Sequence, residues 1–271
     1  LYLQSSPEYA MKRLLAAWPQ QPIYQICKAF RNGEAGRRHN PEFTLLEWYR
    51  PGLDHHALMD EVSALLRCLL DRPDLAVRRR SYRDVFLAYL GLDPLVADIP
   101  ALQAAARAAG VADAERLTLT GDAWLDLLMV SVIEPRLGRE GLDFIHGYPA
   151  SQAALARLDP ADPRVAQRFE AYLEGVELAN GYHELTDADE QRRRFARERA
   201  ERAASGPNPG EGGRGHAAGD DARPEDAALL AALTAGLPAC AGVALGLDRV
   251  LMLALGMDDI DGVLSFALPR L

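Results

Sequence analysis

Hydrophobic positions along this chain switch repeatedly between a helical and an extended spacing. Ser6-Pro7-Glu8 reads as a helix start: a capping hydroxyl, a proline at the first helical position and an acid at the positive helix end. Tyr9, Leu14, Leu15 and Trp18 continue it as an apolar stripe that closes near Pro19. Residues 22–31 read as a strand, 32–41 as a polar, charged loop and 42–50 as a second strand, together an antiparallel hairpin. Asp54 caps a helix carrying Leu58, Val62, Leu65, Leu66 and Leu69 on one side. Helical patterns recur at 81–90, 101–109 and 122–134, and strand patterns at 142–148 and 167–179. Asn180-Gly181 reads as a turn between 167–179 and 182–185, and Thr186-x-x-Asp189 as a capping box that opens a helix over 187–203. A helix at 225–235, a strand at 240–246 and a helix at 247–255 closed by Gly256 complete the pattern. Strands separated by helices, with antiparallel signals, predict an α+β fold rather than a doubly wound parallel sheet.

Composition changes this picture in three places. Residues 205–224 (SGPNPGEGGRGHAAGDDARP) hold no side chain that anchors a core and are predicted to form a flexible Gly-rich loop. The three cysteines, Cys27, Cys68 and Cys240, form no C-x-x-C pair and read as small buried hydrophobes in a reducing cytoplasm. With 39 acidic and 30 basic residues among 271, the net charge of −9 argues against broad nucleic-acid binding. No apolar run approaches the roughly 18 residues of a membrane-spanning helix. The chain opens at Leu1-Tyr2-Leu3 with no Met and no signal-peptide pattern, so it is expected to begin partway into a domain.

The hairpin carries the most chemistry. Period two puts Phe43, Leu45, Glu47 and Tyr49 on one face. A carboxylate there either turns to water or requires a cation, from the protein or from a ligand. Arg31, at the end of an apolar strand, suits a structural salt bridge or a bound phosphate or carboxylate; Arg37, Arg38 and His39 lie in the loop that follows. Glu170, Glu177 and Glu184 form an acidic series that serves as a solvated rim or, near a phosphate-binding arginine, as a magnesium site. Glu170 and Glu177 differ by seven positions, so a bulge or bend is needed to bring them to one face. The strand at 240–246 has one nearly bare face, Gly242, Ala244 and Gly246, which lets another group lie close to the backbone; Asp248 and Arg249 then begin a helix. No P-loop or dinucleotide fingerprint is present.

FRNGEAGRRHNPEFTLLEWY (30–49) resembles motif 2 of the class II aminoacyl-tRNA synthetases in its lysyl-type form, and GVALGLDRVLMLALG (242–256) resembles motif 3. SPEYAMKRLL (6–15), YPASQAALAR (148–157) and GVELANGYHELTDADEQRRRF (175–195) are similar to the same branch, so the likeness runs from Leu3 to Phe266 apart from the Gly-rich loop. It implies one class II catalytic domain, an antiparallel sheet flanked by helices, that uses ATP and Mg2+. Within the branch, the truncated lysyl-type paralogues transfer (R)-β-lysine to a lysine side chain of elongation factor P. That implies a cytoplasmic, AMP-forming ligase with elongation factor P as acceptor, no tRNA, and a homodimer in its full-length form. A lysyl-tRNA synthetase core charging tRNA with L-lysine, and a catalytically dead paralogue, are the alternatives.

By that resemblance Arg31 and Arg249 are the catalytic arginines. Asn32, Gly33, His39, Phe43, Glu177, Leu178 and Gly246 join them around ATP, with Phe43 stacking on adenine. Glu170 and Glu177 hold magnesium. Glu47, Tyr49 and Glu184 hold the substrate's side-chain ammonium, while Ser6, Pro7, Glu8, Asn180 and Ala244 line the rest of its pocket. The chain departs from the family pattern at Gly33, where motif 2 carries a carboxylate, and at Ala244, where lysyl synthetases carry glycine. Motif 1, the dimerisation element, is expected before Leu1. The arginine-rich helix over 187–203 is a candidate acceptor surface, with a solvated basic face as the plainer reading.

Overall fold

The computed structural model of the chain describes residues 3–205 and 226–267, so all but the first residue of the segment predicted to be a flexible loop lies outside the described residues. Seven strands form one sheet: β1 Ile23–Phe30, β2 Glu42–Pro51, β3 Val77–Ser81, β4 Leu142–Pro149, β5 Val165–Leu173, β6 Val176–His183 and β7 Cys240–Gly246. Their order is β1-β2-β7-β6-β5-β4-β3, antiparallel throughout except for β3 beside β4. The helices are α1 Glu8–Ala17, α2 His55–Leu69, α3 Tyr82–Leu90, α4 Ile99–Ala108, α5 Gly121–Leu128, α6 Ala188–Ser205, α7 Ala227–Gly236 and α8 Leu247–Ala254. This is the α+β architecture that the pattern predicts.

The two faces of the sheet are used differently. One packs Trp48, Phe144, Phe169 and Leu245 against α2 and α8 in the largest apolar cluster. On the other, α3, α4 and α5 cover Ile145, Tyr148 and Tyr172 at one end, and α1 and α7 cover Tyr49 near the other. The middle of that second face, over β2, β7 and β6, holds Glu47, Ala244 and Asn180 in register. Helices wall the two ends, and the bare face of β7 forms the floor.

Several elements differ from the sequence reading. The hairpin after 167 turns at Glu174-Gly175, both at positive φ (55° and 74°), and not at Asn180-Gly181. Asn180 and Gly181 are interior to β6. A Cβ on Gly181 would fall 2.4 Å from the Phe169 ring, so this glycine serves close packing rather than a turn. The Asn-Gly signal is a consensus turn, but the left-handed pair here is Glu-Gly. Glu184 therefore stays extended beyond β6 instead of folding back. The short parallel strand β3 went unread because VRRRS looks solvated; Arg78 and Arg80 in fact pair with Asp143, whose side chain is fully buried. Asp187, rather than Thr186, caps α6, accepting from the amides of Asp189 and Glu190. Helix α1 starts at Glu8, with Pro7 at the cap position, and buries Met11, Lys12 and Leu15 while Tyr9, Leu14 and Trp18 face outward. Of the cysteines only Cys240 is buried. No helix among the described residues is long and apolar enough to cross a membrane.

Gly138 shows how tightly the β4–β5 end is built. Its φ is +68°, its N–H donates to Asp143 at 2.7 Å, and a Cβ would sit 2.5 Å from the Leu173 backbone. Gly138→Ala is therefore expected to cost roughly 2–4 kcal/mol in urea unfolding; a loss below about 0.5 kcal/mol would contradict this packing.

Candidate functional site

Period two does its work on β2. Glu47 and Tyr49 lie on the open face, and opposite them in the register stand Ala244 and Gly242. A Cβ on Gly242 would fall 2.3 Å from the Tyr49 ring and 2.5 Å from a Glu184 oxygen, so the glycine lets both side chains press against β7. Glu47 is 2% exposed. Its two oxygens accept from the Tyr49 hydroxyl (2.7 Å) and the Ser6 hydroxyl (2.9 Å), and the Ser6 oxygen in turn accepts from the Glu8 amide (3.0 Å). The helix start at Ser6-Pro7-Glu8 is thereby fastened to the strand face. Among the described residues no cation pairs with Glu47: burial first, and Glu8 next, push its carboxyl up to about 7 from an ordinary 4.5. Burial holds the Tyr49 phenol well above its usual value, so it remains a donor.

The missed residue is Lys12. It is 2% exposed, and its Nζ lies 2.5 Å from Glu184 and 2.7 Å from Glu8. Burial works against its charge, but the two carboxylates outweigh it and hold the ammonium well above its usual range. Glu184, 1% exposed, is lifted by burial and drawn down by Lys12. A Glu8–Lys12 pair at i,i+4 reads as an ordinary surface bridge, so only the neighbouring apolar Met11 and Leu15 hinted that this helix face turns inward.

A second group gathers where β1, β2, β6 and α8 meet. The Asp248 carboxylate accepts from the Thr44 amide (2.6 Å), tying the start of α8 to β2. Arg249 is thereby aimed across the strands: its guanidinium donates to the Glu177 carbonyl (2.9 Å), lies 3.4 Å from the Glu177 carboxylate, and meets His39 Nε2 at 2.7 Å. Desolvation and then Arg249 hold the His39 imidazole below its usual value, so it accepts that bond as the neutral form. Just beyond β1, the Arg31 guanidinium stands 5.0 Å over the Phe43 ring and 3.7 Å from Glu34. Gly33 takes φ +82° in the turn that follows. Two cationic groups and an exposed imidazole thus face the middle of the sheet beside an aromatic ring, an arrangement suited to a nucleotide's phosphates and base. The side chain of Leu178 points to the core on the opposite face, so only its backbone lies near Gly246.

Glu170 and Glu177 share the open face because the turn at Glu174-Gly175 sets them on paired strands: Glu177 lies opposite Tyr172, two residues from Glu170 on β5, and a bulge between Glu177 and Asn180 keeps Asn180 on that face as well. The pairing steps from Ala171↔Ala179 to Tyr172↔Glu177, one residue on β5 against two on β6. Glu170 is already saturated: one oxygen accepts from Arg168 (2.5 Å) and Asn180 (3.0 Å), the other from Tyr148 and Tyr172 (2.5 Å each). Burial and Glu170 both raise the Glu177 carboxyl. Glu134, just after α5, is likewise pushed up to about 7 by burial and then by Glu177. Among the described residues no three His, Cys, Asp or Glu side chains converge on a metal position. A hard cation held by one carboxylate and by substrate phosphates therefore suits Glu177; Glu170 is committed to its internal donors. Asn180 donates to Glu170 and leaves its buried Oδ1 without a partner.

The model of the tRNA synthetases class II (D, K and N) matches residues 1–270. The chain belongs to this family. Its class II fold, and the ATP use that the class implies, agree with the motif resemblance. The whole chain is 50% identical over 270 residues to elongation factor P–(R)-β-lysine ligase of Vibrio cholerae and, likewise, of Proteus mirabilis, spanning 78% of each relative. The ligase of the same name from Salmonella typhi is 48% identical over 271 residues, again spanning 78% of that protein.

The class II site carries a stability cost at Glu47. Between pH 4.5 and about 7 the folded chain keeps a proton that the unfolded chain has released, so stability falls as pH rises through that window. The full effect, about 3 kcal/mol, is present above it. Glu47→Gln removes the charge and strands one hydroxyl, so it is expected to gain about 2 kcal/mol at pH 8 in urea unfolding and nothing at pH 4. Equal or lower stability of the variant at pH 8 would contradict an uncompensated carboxylate.

Proposed function

We propose that this chain activates (R)-β-lysine with ATP as an aminoacyl-adenylate and transfers it to a lysine side chain of elongation factor P. The observation that carries the reading is Glu47: a buried carboxylate with two hydroxyl donors and, among the described residues, no cation, on the same strand face as Phe43 and the Arg31 and Arg249 end. A ligand bearing an ammonium at one end and a carboxylate near the nucleotide satisfies both ends of that line. The relatives' shared name supplies the identity of such a ligand, (R)-β-lysine, and of the acceptor. The reading treats the chain as one catalytic domain working in the cytoplasm.

The chemistry asks for positioning more than for covalent help. The substrate carboxylate attacks the α-phosphorus of ATP in line, and pyrophosphate leaves. Arg31 and Arg249 stabilise the charge spread over the phosphates, and His39, in its neutral form, fixes the Arg249 fork. Glu177 is the residue to hold Mg2+, which when bound neutralises phosphate charge. Glu47 and Tyr49 take the side-chain ammonium, with Glu184 behind them. The orphaned Asn180 Oδ1 and the outer oxygen of Glu8 face the second amine, with Ser6, Pro7 and Ala244 shaping that wall. In the second step the acceptor's amine, having lost its proton, attacks the adenylate carbonyl and AMP leaves. On α6, Arg192 pairs with Asp189 and Arg193 and Arg194 with Glu190, and Arg194 also donates to the Ala154 and Ala156 carbonyls; these commitments to the chain's own groups weigh against an acceptor surface there.

ATP–pyrophosphate exchange driven by (R)-β-lysine, and hardly by L-lysine, is the expected result, with labelled β-lysine passing to purified elongation factor P and not to tRNA. Preference for L-lysine with tRNA as acceptor would replace this reading by a lysyl-tRNA synthetase core. Arg249→Ala is expected to lower exchange by at least about 100-fold while leaving the urea midpoint nearly unchanged; undiminished exchange would remove Arg249 from the nucleotide site.

A further inference from the structure

The amino-acid pocket contains three carboxylates, Glu8, Glu47 and Glu184, and one ammonium, Lys12. These are not equivalent. Lys12 is shared between Glu8 and Glu184, and both of its contacts are with buried or nearly buried oxygens: the side chains of Lys12 and Glu184 are 2% and 1% exposed, and that of Glu8 is 18% exposed. Glu47 makes no ion pair among the described residues and relies on hydroxyls. With all four groups ionised, three negative charges and one positive leave two, which equals the number of ammonium groups on the proposed substrate; its carboxylate turns to the arginines.

We infer that Lys12 is a positioning residue for substrate selection: it ties Glu8 to Glu184, so that Glu8 presents its free oxygen to the substrate's second amine while Glu47 alone receives the side-chain ammonium. This deepens the proposed function and rests on it. The geometry supports the tie in three ways. Glu8 and Lys12 stand one helical turn apart on α1, so the bridge holds the Glu8 side chain along the helix. The Glu8 amide is itself fixed to the Ser6 hydroxyl that binds Glu47. Glu184 is pinned through its amide to the Cys240 carbonyl, so the far end of the tie is anchored in the sheet. Without Lys12, Glu8 on the rim of the pocket is free to turn to solvent, and Glu184 is left as a buried charge that takes up a proton.

The test compares two substrates in ATP–pyrophosphate exchange by the full chain. (R)-β-Lysine carries both amines; 6-aminohexanoate keeps the terminal ammonium and the carboxylate but lacks the second amine. In Lys12→Met the discrimination in kcat/KM between them should fall at least about tenfold, while kcat/KM for 6-aminohexanoate and KM for ATP stay within about threefold. An equal loss for both substrates would make Lys12 a packing residue and overturn the proposal, as would unchanged discrimination. Glu8→Gln keeps the Lys12–Glu184 pair and should show the same collapse. Should Lys12→Met fail to fold, as judged by its urea transition, Lys12→Gln, which keeps polar atoms at the position but removes the charge, decides the matter: retained discrimination there overturns the tie. If the unaltered chain does not turn over (R)-β-lysine, the functional reading itself fails and the proposal falls with it. A wild-type result that holds while the variants disagree sinks the proposal alone.

Discussion

A carboxylate removed from water without a cation is among the costliest groups a fold can carry, and among the described residues Glu47 is kept in that condition. The surrounding structure makes sense as the means of holding it there. The strand alternation points it inward. Gly242 and Ala244 leave the floor low enough for Tyr49 and a ligand to lie against β7. The capped start of α1 closes over it through Ser6. Lys12 is spent on Glu8 and Glu184 and makes no ion pair with it. That unfilled charge requirement is a stored preference for an ammonium.

The same economy shapes the nucleotide side. Arg249 is held by the Glu177 carbonyl and His39, and Asp248 fixes its helix to the β2 backbone. Oriented guanidinium groups then need little reorganisation when charge develops on phosphate. The β5–β6 hairpin sets Glu177 on the working face beside Glu170, the bulge in β6 keeps Asn180 on the same face, and Glu170 locks Tyr148, Tyr172, Arg168 and Asn180 into one network. That network joins the α3–α5 wall to the site, so Asn180 is delivered with one donor used and one acceptor spare.

Much of this was legible in the chain itself, and the failures have physical causes. The face carrying Phe43, Glu47 and Tyr49 follows from period two, and the bare positions 242, 244 and 246 announce a close approach. The odd spacing of Glu170 and Glu177 called for a bulge only if 167–179 were one strand; the turn at Glu174-Gly175 instead pairs them across a hairpin. The turn at Glu174-Gly175 was hidden because Asn-Gly is the stronger local signal, yet Gly181 answers to the Phe169 ring across the sheet, a contact no local rule contains. Strand β3 was hidden because its arginines owe their place to Asp143, more than 60 residues away in the chain and likewise a long-range partner. Lys12 was hidden for a similar reason: i,i+4 with Glu8 it looks like any exposed helix pair, and only Glu184 draws it inside.

The central claim is that an ammonium from the substrate completes Glu47, and proton linkage measures it most directly. Titration calorimetry of (R)-β-lysine into the ATP-free chain, at pH 6.5 in two buffers of different ionisation enthalpy, counts protons exchanged on binding. Because the free carboxyl sits near 7 and an ammonium lowers it, binding should release a proton at pH 6.5, and Glu47→Gln should abolish the release. Binding with no buffer-dependent heat, or with proton uptake, would contradict the account.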